Sequence, residues 1–237
     1  MPVKNSIILC TYNESKYIKN TVYELKKNIP DLELIIVDDS STDGTIEILK
    51  NLKKDIGCKI ILRKRSRSLA SAFVRGLVDT EGENIGWIDS NMEELAPKFN
   101  QLIEELNSDV DIAILSRYVE GAGDERILIR SLGSKYFNIF CRLLLRVPIK
   151  DLTGSIFLMK RRVLDEVTFL GYGHGEFFLE FLYNAYNKGF KIKEIPYVQK
   201  KDKDLKDSKS APNLIKFFYY GFMYVLRTFS AIIRKKN

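Results

Sequence analysis

The sequence contains little histidine and little cysteine, and this scarcity limits the metal chemistry available to it. There is one histidine, His174, and there are three cysteines, Cys10, Cys58 and Cys141. The cysteines are widely spaced and form no CxxC pair, so a zinc site is not indicated. Their odd number is typical of buried, reduced thiols in a cytoplasmic protein. We interpret His174, which lies in a glycine-rich stretch, as structural or incidental.

A long uncharged apolar run is also missing. The N-terminal apolar stretch, Ile7–Leu9, is too short for the core of a signal peptide, so export is not expected. Near the C-terminus, Phe217–Leu226 carries no charge but falls well short of the roughly 20 residues that span a bilayer. Neither stretch predicts a transmembrane helix.

Arginines do not alternate with aromatic residues as they do in proteins that bind single-stranded nucleic acid, so nucleic acid is not expected as a partner. The formal net charge is nevertheless +7, from 38 basic and 31 acidic residues. That excess suits anionic partners such as phosphates or an acidic lipid surface. With 45% hydrophobic and 29% charged residues, the composition is ordinary for a folded globular protein.

Strand-like and helix-like segments alternate through the first half of the chain. The short apolar runs predict strands at Ser6–Cys10, Leu32–Val37, Lys59–Leu62, Asn84–Ile88 and Asp111–Leu115. Apolar residues at helical spacing predict helices at Glu14–Asn28, Thr45–Leu52, Ser68–Asp79 and Pro97–Asn107. This alternation favours parallel pairing with right-handed crossovers. The fold class is therefore α/β, with a mostly parallel central sheet flanked by helices.

The second half of the sequence is less regular. Helical spacing returns over Ser131–Leu145 and Glu176–Asn187, and Lys191–Val198 is predicted as a strand. A charged stretch, Lys200–Lys209, follows that strand. We predict that residues 1–212 form one domain.

Residues 213–237 differ in kind from the rest. The aromatic run Phe217–Leu226 is bracketed by Lys216 and Arg227, and three basic residues follow at 234–236. An amphipathic helix of this composition suits the membrane interface, where tyrosine lies at headgroup depth and basic side chains meet lipid phosphates. A terminal helix docked on the domain's own core would account for the same pattern, and the sequence leaves both interpretations open.

The predicted sheet indicates where a ligand would bind. In open α/β sheets, ligands occupy the crevice beyond the carboxyl ends of the strands. The loops at those ends are Thr11–Asn13, Asp38–Gly44, Asp89–Glu94 and Ser116–Gly123. Candidate functional residues are therefore expected in these loops.

The loop Asp38–Gly44 places two carboxylates directly after a buried strand and directly before a helix. Residues of this loop could cap that helix, and Gly44 could allow the tight turn, which is a purely structural explanation. Capping does not explain Asp38 and Asp39 at the strand end. A carboxylate there can bind the hydroxyls of a ribose, as acidic residues do in other nucleotide-binding α/β folds.

A second cluster of oxygen ligands follows the strand that ends at Ile88. Asp89 and Glu93 supply carboxylates, and Asn91 supplies a neutral amide oxygen. Hard oxygen donors at a strand end suit Mg²⁺ or Mn²⁺, which also bridge to substrate phosphates. A polar loop that caps the following helix is the structural alternative, and this loop alone does not decide between them.

Basic side chains in the middle of the chain form a third group, namely Arg117, Arg126, Arg130 and Lys135. Arg126 and Arg130 are four residues apart, so a helix could align them. Arginine forks match phosphate oxygens, although a single charged residue on a helix is more often solvated surface. Their combination with an acidic nucleotide loop favours a phosphate-binding role.

Taken in order, these segments resemble the family 2 glycosyltransferases of the GT-A fold, and within them the dolichyl-phosphate mannose synthase group. The resemblance extends from about Ser6 to about Ser210. The matching segments are Cys10–Glu14, Val37–Thr45, Asp89–Glu93, Ser116–Tyr118, Arg130, Ser134-Lys135, Asn138, Asp151–Ser155, Glu194–Pro196 and Ser208-Lys209. The acidic segment Asp38–Thr45, which comes after the sequence Thr-Tyr-Asn-Glu at residues 11–14, is specific for the superfamily. The matches at Asp151–Ser155 and Ser208-Lys209 indicate the polyprenyl-phosphate branch.

The resemblance implies a GT-A, Rossmann-like fold and a donor that is a nucleotide diphosphate sugar, either GDP-mannose or a UDP-sugar. The nucleotide would be bound by Cys10, Tyr12, Glu14, Val37, Asp39 and Ser90. A divalent cation, Mg²⁺ or Mn²⁺, would be bound by Asp89, Asn91 and Glu93. Asp89 and Arg117 would have catalytic roles. Donor or acceptor phosphate would meet Arg130, Lys135, Lys203 and Lys209.

Four places depart from the family's pattern. The family usually has arginine near Lys203, and a glycine-containing turn where Lys206-Asp207 lead into Ser208. Cys10 stands where the family usually has proline, and Asn91 stands where it usually has a second aspartate. A neutral Asn91 should weaken the affinity for a metal, although Glu93 supplies a further charge.

The implied reaction is direct displacement at the anomeric carbon with inversion, by a protein bound peripherally at the cytoplasmic face of a membrane. A polyprenyl phosphate acceptor has a second pKa of about 6, so it is largely ionised and needs no strong general base. Two alternatives remain open. A hydroxyl acceptor would need a base, for which Asp151 or Glu180 would be the first candidates. A weakly active or inactive homologue would bind nucleotide sugar without turnover, a hypothesis motivated by Asn91.

Overall fold

A computed structural model describes residues 4–64, 68–201 and 214–235. Within these ranges the strands are β1 (Asn5–Thr11), β2 (Leu32–Asp38), β3 (Lys59–Leu62), β4 (Asn84–Trp87), β5 (Ile112–Ser116), β6 (Gly123–Asp124), β7 (Phe157–Lys160), β8 (Ile192–Pro196) and β9 (Val198–Gln199). The helices are α1 (Ile18–Asn28), α2 (Thr45–Ile56), α3 (Leu69–Leu77), α4 (Phe99–Leu106), α5 (Leu128–Leu145), α6 (Glu176–Asn187) and α7 (Leu214–Lys235). Short 3-10 helices occupy Glu93–Lys98 and Arg161–Asp165. The predicted phosphate ligands Lys203 and Lys209 lie outside the described residues.

The central sheet has the strand order β3-β2-β1-β4-β7-β5-β8. β1 pairs in parallel with β2 and β4, β2 pairs in parallel with β3, and β5 pairs in parallel with β8. Parallel neighbours need a crossover connection rather than a tight turn, and helices supply these crossovers in the first half of the chain. The mostly parallel α/β sheet predicted from the alternating pattern is confirmed.

Strand β7 runs antiparallel between β4 and β5 and is not predicted from the sequence. Its four residues are too few to display a strand period. Because β7 is antiparallel to both neighbours, β4 and β5 run in the same direction and end at the same edge of the sheet. The segment that leads into β7 begins at that edge too, since Phe157 is paired with Trp87 and Ile114.

Apolar side chains cover both faces of the sheet. In β1, Ile8 packs with Phe73 and Trp87 on one face, whereas Ile7 and Leu9 belong to the apolar cluster on the other face. Such double burial explains why the strands appear in the sequence as continuous apolar runs rather than alternating ones.

Several predicted elements have different boundaries in the structure, and long-range contacts explain two of these differences. The helix predicted from Glu14 begins at Ile18, because the backbone N–H groups of Glu14 and Ser15 donate to the side chains of Thr45, at the start of α2, and of Asp43, in the loop before it. The strand predicted at Lys191–Val198 is divided, since β8 ends at Pro196 and β9 pairs with β6 in a separate two-stranded sheet. Long-range hydrogen bonds fix both boundaries, so local periodicity does not reveal them.

Helix α7 confirms the predicted C-terminal helix, and one of its faces docks on the domain. Thr228 and Ala231 are buried there. Arg227 and Arg234 both contact the carboxylate of Glu180 on α6, at 2.5 Å from Arg227 Nε and 2.7 Å from Arg234 Nε. One buried carboxylate is therefore shared by two guanidinium groups at the α6–α7 contact. The opposite face of α7 exposes apolar side chains at helical spacing, namely Tyr219, Phe222, Leu226, Phe229 and Ile233.

We expect Glu180→Gln to lower the free energy of unfolding by about 3 kcal/mol or more, because buried Arg227 would lose its compensating charge. Urea unfolding followed by circular dichroism should give a lower midpoint with an unchanged slope.

The matched control is Glu166→Gln, which removes an exposed pair with Lys188 at 3.9 Å. This change should alter the free energy of unfolding by less than about 1 kcal/mol. Equal stability of Glu180→Gln and the wild type would contradict a stabilising role for the buried carboxylate.

Candidate active site

The loops after β1 and β2 form one hydrogen-bonded unit at the carboxyl edge of the sheet. The parallel register pairs Thr11 with Asp38, so both strands end at the same level. The buried Asp38 carboxylate accepts hydrogen bonds from Thr11 Oγ1 at 2.8 Å and from the backbone N–H of Ser41 at 2.9 Å. Asp38 therefore determines the shape of the loop and is not available to a ligand.

The turn that follows β1 is held to the same loop. The Asn13 N–H donates to Ser41 Oγ at 2.8 Å, and Asn13 Oδ1 accepts from the Thr42 N–H at 2.8 Å. Asn13 has a φ of 56° and Gly44 a φ of 94°, so the backbone enters the left-handed region on both sides of this contact. These bonds position Tyr12 and Glu14, the predicted nucleotide ligands of the first loop, beside the loop after β2.

Asp39 is the second carboxylate of the acidic loop, and it forms a two-point ion pair with Arg63. Arg63 Nε lies 2.5 Å from Asp39 Oδ1, and Arg63 Nη2 lies 2.7 Å from Asp39 Oδ2. Arg63 is not predicted from the sequence as a site residue. The signal that could have found it is the strand pattern, because Arg63 directly follows β3 just as Asp39 directly follows β2.

Asp89 lies at the same edge, after β4. The parallel register pairs Ile8 with Trp87, which places the start of the Asp89 loop beside the end of β1. Burial raises the pKa of the Cys10 thiol, and the negative charges of Asp39 and Asp89 raise it further. The strand register accordingly places the loops of Asp39 and Asp89 on the two sides of the end of β1.

The predicted metal ligands share the loop after β4. The Thr21 hydroxyl donates to the Ser90 carbonyl at 2.6 Å, and the Met92 N–H donates to the Asp89 carbonyl at 3.2 Å. Glu93 begins the 3-10 helix that follows. Burial raises the pKa of the Asp89 carboxyl, and a hydrogen bond from the Trp87 side chain offsets part of this effect.

This donor set fits a divalent cation that a substrate helps to bind. In the part of the chain that the structure describes, no group of three or more His, Cys, Asp or Glu side chains is arranged to hold a metal ion. Mg²⁺ is commonly held by only one or two carboxylates together with substrate phosphates. Asp89 and Glu93, with the Asn91 amide oxygen, match that pattern.

Arg117 follows β5 and forms a buried two-point ion pair with Asp151. Arg117 Nε and Nη2 lie 2.8 and 2.7 Å from the two carboxylate oxygens, and Nη2 also donates to Thr153 Oγ1 at 2.7 Å. Burial alone would raise the pKa of the Asp151 carboxyl, but the Arg117 charge and the N–H donors of Arg117 and Gly154 hold it below its usual range. Asp151 is therefore a charged structural partner and a poor general base.

The segment Asp151–Ser155, one of the motifs that carry the family resemblance, is fixed by several elements. Its Leu152 N–H donates to Asn138 Oδ1 of α5 at 2.7 Å. The Asp151 N–H donates to Glu194 of β8 at 2.9 Å. These bonds connect α5 and β8 at the same edge of the sheet, where they hold the loop that carries Arg117.

The predicted phosphate ligands of α5 have different environments. Arg130 is buried and Lys135 is exposed. Arg126 lies before the helix and pairs with Asp124, at 2.8 Å between Arg126 Nε and Asp124 Oδ1. The helical alignment of Arg126 with Arg130 expected from their spacing is therefore not present.

The loops that carry Asp89 and Arg117 emerge on the two sides of the start of β7, because Phe157 pairs with Trp87 of β4 and with Ile114 of β5. Burial raises the pKa of the Tyr197 hydroxyl, and the charges of Arg117, Asp151 and Asp89 all act on that hydroxyl. Asp39, Asp89 and Arg117 thus come from three loops at one edge of the sheet. Their functional roles remain predictions.

The sequence matches the family model described as Glycosyl transferase family 2 over residues 6–168. This match covers more than half of the chain. The chain therefore belongs to glycosyl transferase family 2, and the family predicted from its motifs is confirmed.

Two curated relatives extend the similarity beyond the family model. A dolichol-phosphate mannosyltransferase of Pyrococcus furiosus is 30% identical over 200 residues, which are 82% of this chain and 56% of the relative. A polyprenol monophosphomannose synthase of Mycolicibacterium smegmatis is 27% identical over 203 residues, which are 80% of this chain and 75% of the relative. The chain therefore spans little more than half the length of the first relative.

Solved structures show the same fold. Glucosyl-3-phosphoglycerate synthase from Mycobacterium tuberculosis, solved with Mn²⁺, UDP and glucosyl-3-phosphoglycerate, has a TM-score of 0.74 at 14% identity, covering 96% of this chain and 79% of that one. The same protein with Mg²⁺ and UDP has a TM-score of 0.72 at 15% identity, with the same coverage. At such low identity the similarity concerns the fold alone. It confirms the predicted GT-A fold.

Asp151→Asn should lower the free energy of unfolding at pH 7 by about 3–5 kcal/mol, because Arg117 would stay buried without its counter-charge. The wild-type pKa of Asp151 is lowered, so the pair stabilises the fold above the ordinary carboxyl pKa of about 4. That stabilisation is lost as the pH falls through the folded-state pKa. Urea unfolding at pH 7 and at several values below pH 4 should show a shallower acid dependence for the variant.

The control for this experiment is Asp79→Asn, which removes a partly exposed pair with Arg75. Its free energy of unfolding should stay within about 1 kcal/mol of the wild-type value. An acid dependence of Asp151→Asn equal to that of the wild type would contradict the assignment.

Proposed function

We propose that this protein transfers a sugar, mannose by preference, from a nucleotide diphosphate sugar to a polyprenyl phosphate at a membrane surface, with inversion at the anomeric carbon. The observation that carries the proposal is the convergence of Asp39, Asp89 and the Arg117 loop at one sheet edge. The names of the two curated relatives support a sugar donor and a polyprenyl phosphate acceptor.

The ends of β1 and β2 and the loops that follow them would bind the nucleotide, together with Ser90 of the loop after β4. The proposed ligands are Cys10, Tyr12, Glu14, Val37, Asp39 and Ser90. The Asp38 hydrogen bonds keep this surface in a fixed shape before the ligand arrives, which reduces the entropy lost on binding. The donor would be GDP-mannose or a UDP-sugar.

The diphosphate would lie between the loop after β4 and Arg117. A cation held by Asp89, Asn91 and Glu93 would offset the charge that develops on the leaving nucleotide diphosphate. The Nε and Nη2 groups of Arg117 are engaged by Asp151 and Thr153, so this arginine would reach a phosphate oxygen through Nη1. Arg130 and Lys135, with Lys203 and Lys209, would contribute further positive charge.

An ionised phosphate acceptor agrees with the lack of a suitable base among the candidates. Asp151 is engaged by Arg117, and Glu180 is engaged by Arg227 and Arg234. Neither carboxylate could take up a proton from an acceptor hydroxyl without breaking a buried ion pair. A phosphomonoester, with a second pKa of about 6, needs no such base, so positioning and charge neutralisation would suffice.

The exposed faces of α5 and α7 support a location at an anionic membrane. Neither helix contains an acidic residue. The exposed apolar side chains of α5 are Leu128, Ile129, Leu132, Tyr136, Ile139, Phe140 and Leu143, and they follow helical spacing like those of α7. Within the described residues, none of the helices combines the length and apolarity needed to cross a bilayer. Helices of this kind lie in the plane of the interface, where basic side chains meet lipid phosphates.

Asp89→Asn should reduce sugar transfer at least about 100-fold, since it removes a charged ligand from the proposed cation site. The assay measures transfer of radiolabelled sugar from GDP-mannose and UDP-glucose to a polyprenyl phosphate, with and without Mn²⁺. The control is Asp55→Asn on the exposed end of α2, which should retain wild-type activity. Undiminished transfer by Asp89→Asn would remove this residue from the mechanism, whereas nucleotide binding without transfer by the wild type would favour an inactive homologue.

The double variant Phe222→Glu, Phe229→Glu should lose binding to vesicles of phosphatidylcholine and phosphatidylglycerol, because it places charge on the apolar face of α7. Co-sedimentation measures the bound fraction, and circular dichroism checks the fold. Tyr23→Glu on α1, also exposed, is the control and should bind as the wild type does. Unchanged sedimentation of the double variant would contradict the interface role.

A further inference from the structure

The ion pair between Asp39 and Arg63 is not needed to shape the nucleotide loop. That task belongs to Asp38, which binds Thr11 and Ser41 and is fully buried. Asp39 nevertheless has both carboxylate oxygens held by one guanidinium group, at 2.5 and 2.7 Å. A two-point pair of this kind fixes the plane of the carboxylate as well as its position.

Arg63 is itself held in place on several sides. Its Nη1 donates to Ser71 Oγ at 2.8 Å, and its Nη2 donates to the Ser68 carbonyl at 3.2 Å, both at the start of α3. Its backbone N–H donates to the Asp38 carbonyl at 2.8 Å, and its carbonyl accepts from Ser40 Oγ at 2.5 Å. The guanidinium therefore cannot turn away without breaking contacts to both α3 and the acidic loop.

Among the described residues, the two-point pair with Arg63 leaves part of the Asp39 carboxylate free for hydrogen bonding. Each carboxylate oxygen has about two lone-pair directions, and Arg63 uses one on each oxygen. The remaining lone pair of each oxygen points away from the guanidinium and away from the other oxygen, in a direction that Arg63 fixes. One hydroxyl group, such as a hydroxyl of a ribose, can donate along such a direction.

We propose that Arg63 is a positioning residue, which orients a lone pair of the Asp39 carboxylate toward the 2′-hydroxyl of the donor's ribose. The proposal rests on the proposed function, in which Asp39 belongs to the nucleotide site. Arg63 acts through Asp39 and stabilises the bound nucleotide by holding its acceptor rigid. Loss of the two-point pair then removes discrimination between ribose and deoxyribose, because a freely rotating carboxylate has no fixed relation to that hydroxyl.

Calorimetric titration with GDP, UDP and their 2′-deoxy analogues, in the presence of Mn²⁺, tests this role. The wild type should bind the preferred ribonucleotide about tenfold more tightly than its deoxy analogue, the effect of one well-oriented hydrogen bond to a charged group. Arg63→Met should bind both forms equally, at the affinity that the wild type has for the deoxy form. Asp39→Asn should behave in the same way.

Two further variants distinguish the orientation of the Asp39 carboxylate from the effect of the positive charge at position 63 and from an effect on folding. Arg63→Lys keeps the charge but lacks the planar fork, so its preference for the ribonucleotide should stay well below tenfold. It also serves as the test if Arg63→Met does not fold. Arg75→Met on α3 removes a partly exposed arginine paired with Asp79 and should leave the preference unchanged.

The outcomes are distinct. A full ribose preference in folded Arg63→Met or Arg63→Lys would overturn the role of Arg63 and leave the proposed function standing. A wild type that binds nucleotides without any ribose preference would likewise overturn this role. A wild type that binds neither GDP nor UDP would overturn the proposed function itself, and the role of Arg63 with it.

Discussion

The parallel register of β1 with β2 and β4 is the constraint on which the proposed site depends. Because the three strands run in one direction, the loops that follow them emerge at the same edge of the sheet: β1 and β2 end at one level, and β4 ends opposite Ile8 of β1. Asp39 and Asp89 are 50 positions apart in the sequence but belong to loops that flank the end of the same strand. The site is therefore a property of the sheet, and any change that shifted this register would separate its two carboxylates.

The second half of the chain completes that edge by reversing one strand. β7 enters the sheet from the edge where β4 and β5 end, and the segment before it carries Asp151. Asp151 then engages Arg117 across 34 residues of sequence, with the carboxylate fully buried. An isolated buried ion pair contributes little net stability, but breaking it is costly, so the pair holds the Arg117 loop in one arrangement. A rigid arrangement of charge is what a leaving diphosphate requires.

The sequence allows the fold class and the edge of the site to be predicted because both follow from local pattern. Apolar runs followed by acidic loops predict the strands and the places of Asp39 and Asp89. The sequence does not reveal which residues form ion pairs, because the partner of a buried charge depends on which residues lie close to it in the folded protein. The pairing of Arg117 with Asp151 is of this kind. Arg63 is an intermediate case, because its place after β3 is visible in the sequence although its two-point contact is not.

The C-terminal helix shows the same limit of sequence reasoning. Its composition is compatible with docking on the rest of the chain and with a location at the membrane interface. In the structure, one face of the helix is docked, since Thr228 and Ala231 are buried and Arg227 contacts Glu180. The other face, like the exposed face of α5, presents apolar side chains, and neither helix contains an acidic residue. A periodicity argument treats the helix as a whole, whereas the contacts divide it into two faces with different environments.

The most direct test of the central claim is a crystal structure of the protein with GDP or UDP and Mn²⁺, in which anomalous scattering locates the cation. The account predicts a manganese peak in contact with the Asp89 carboxylate and a diphosphate oxygen, with the ribose hydroxyls against Asp39. A nucleotide bound away from the carboxyl ends of β1, β2 and β4, or a cation that does not contact Asp89, would contradict it.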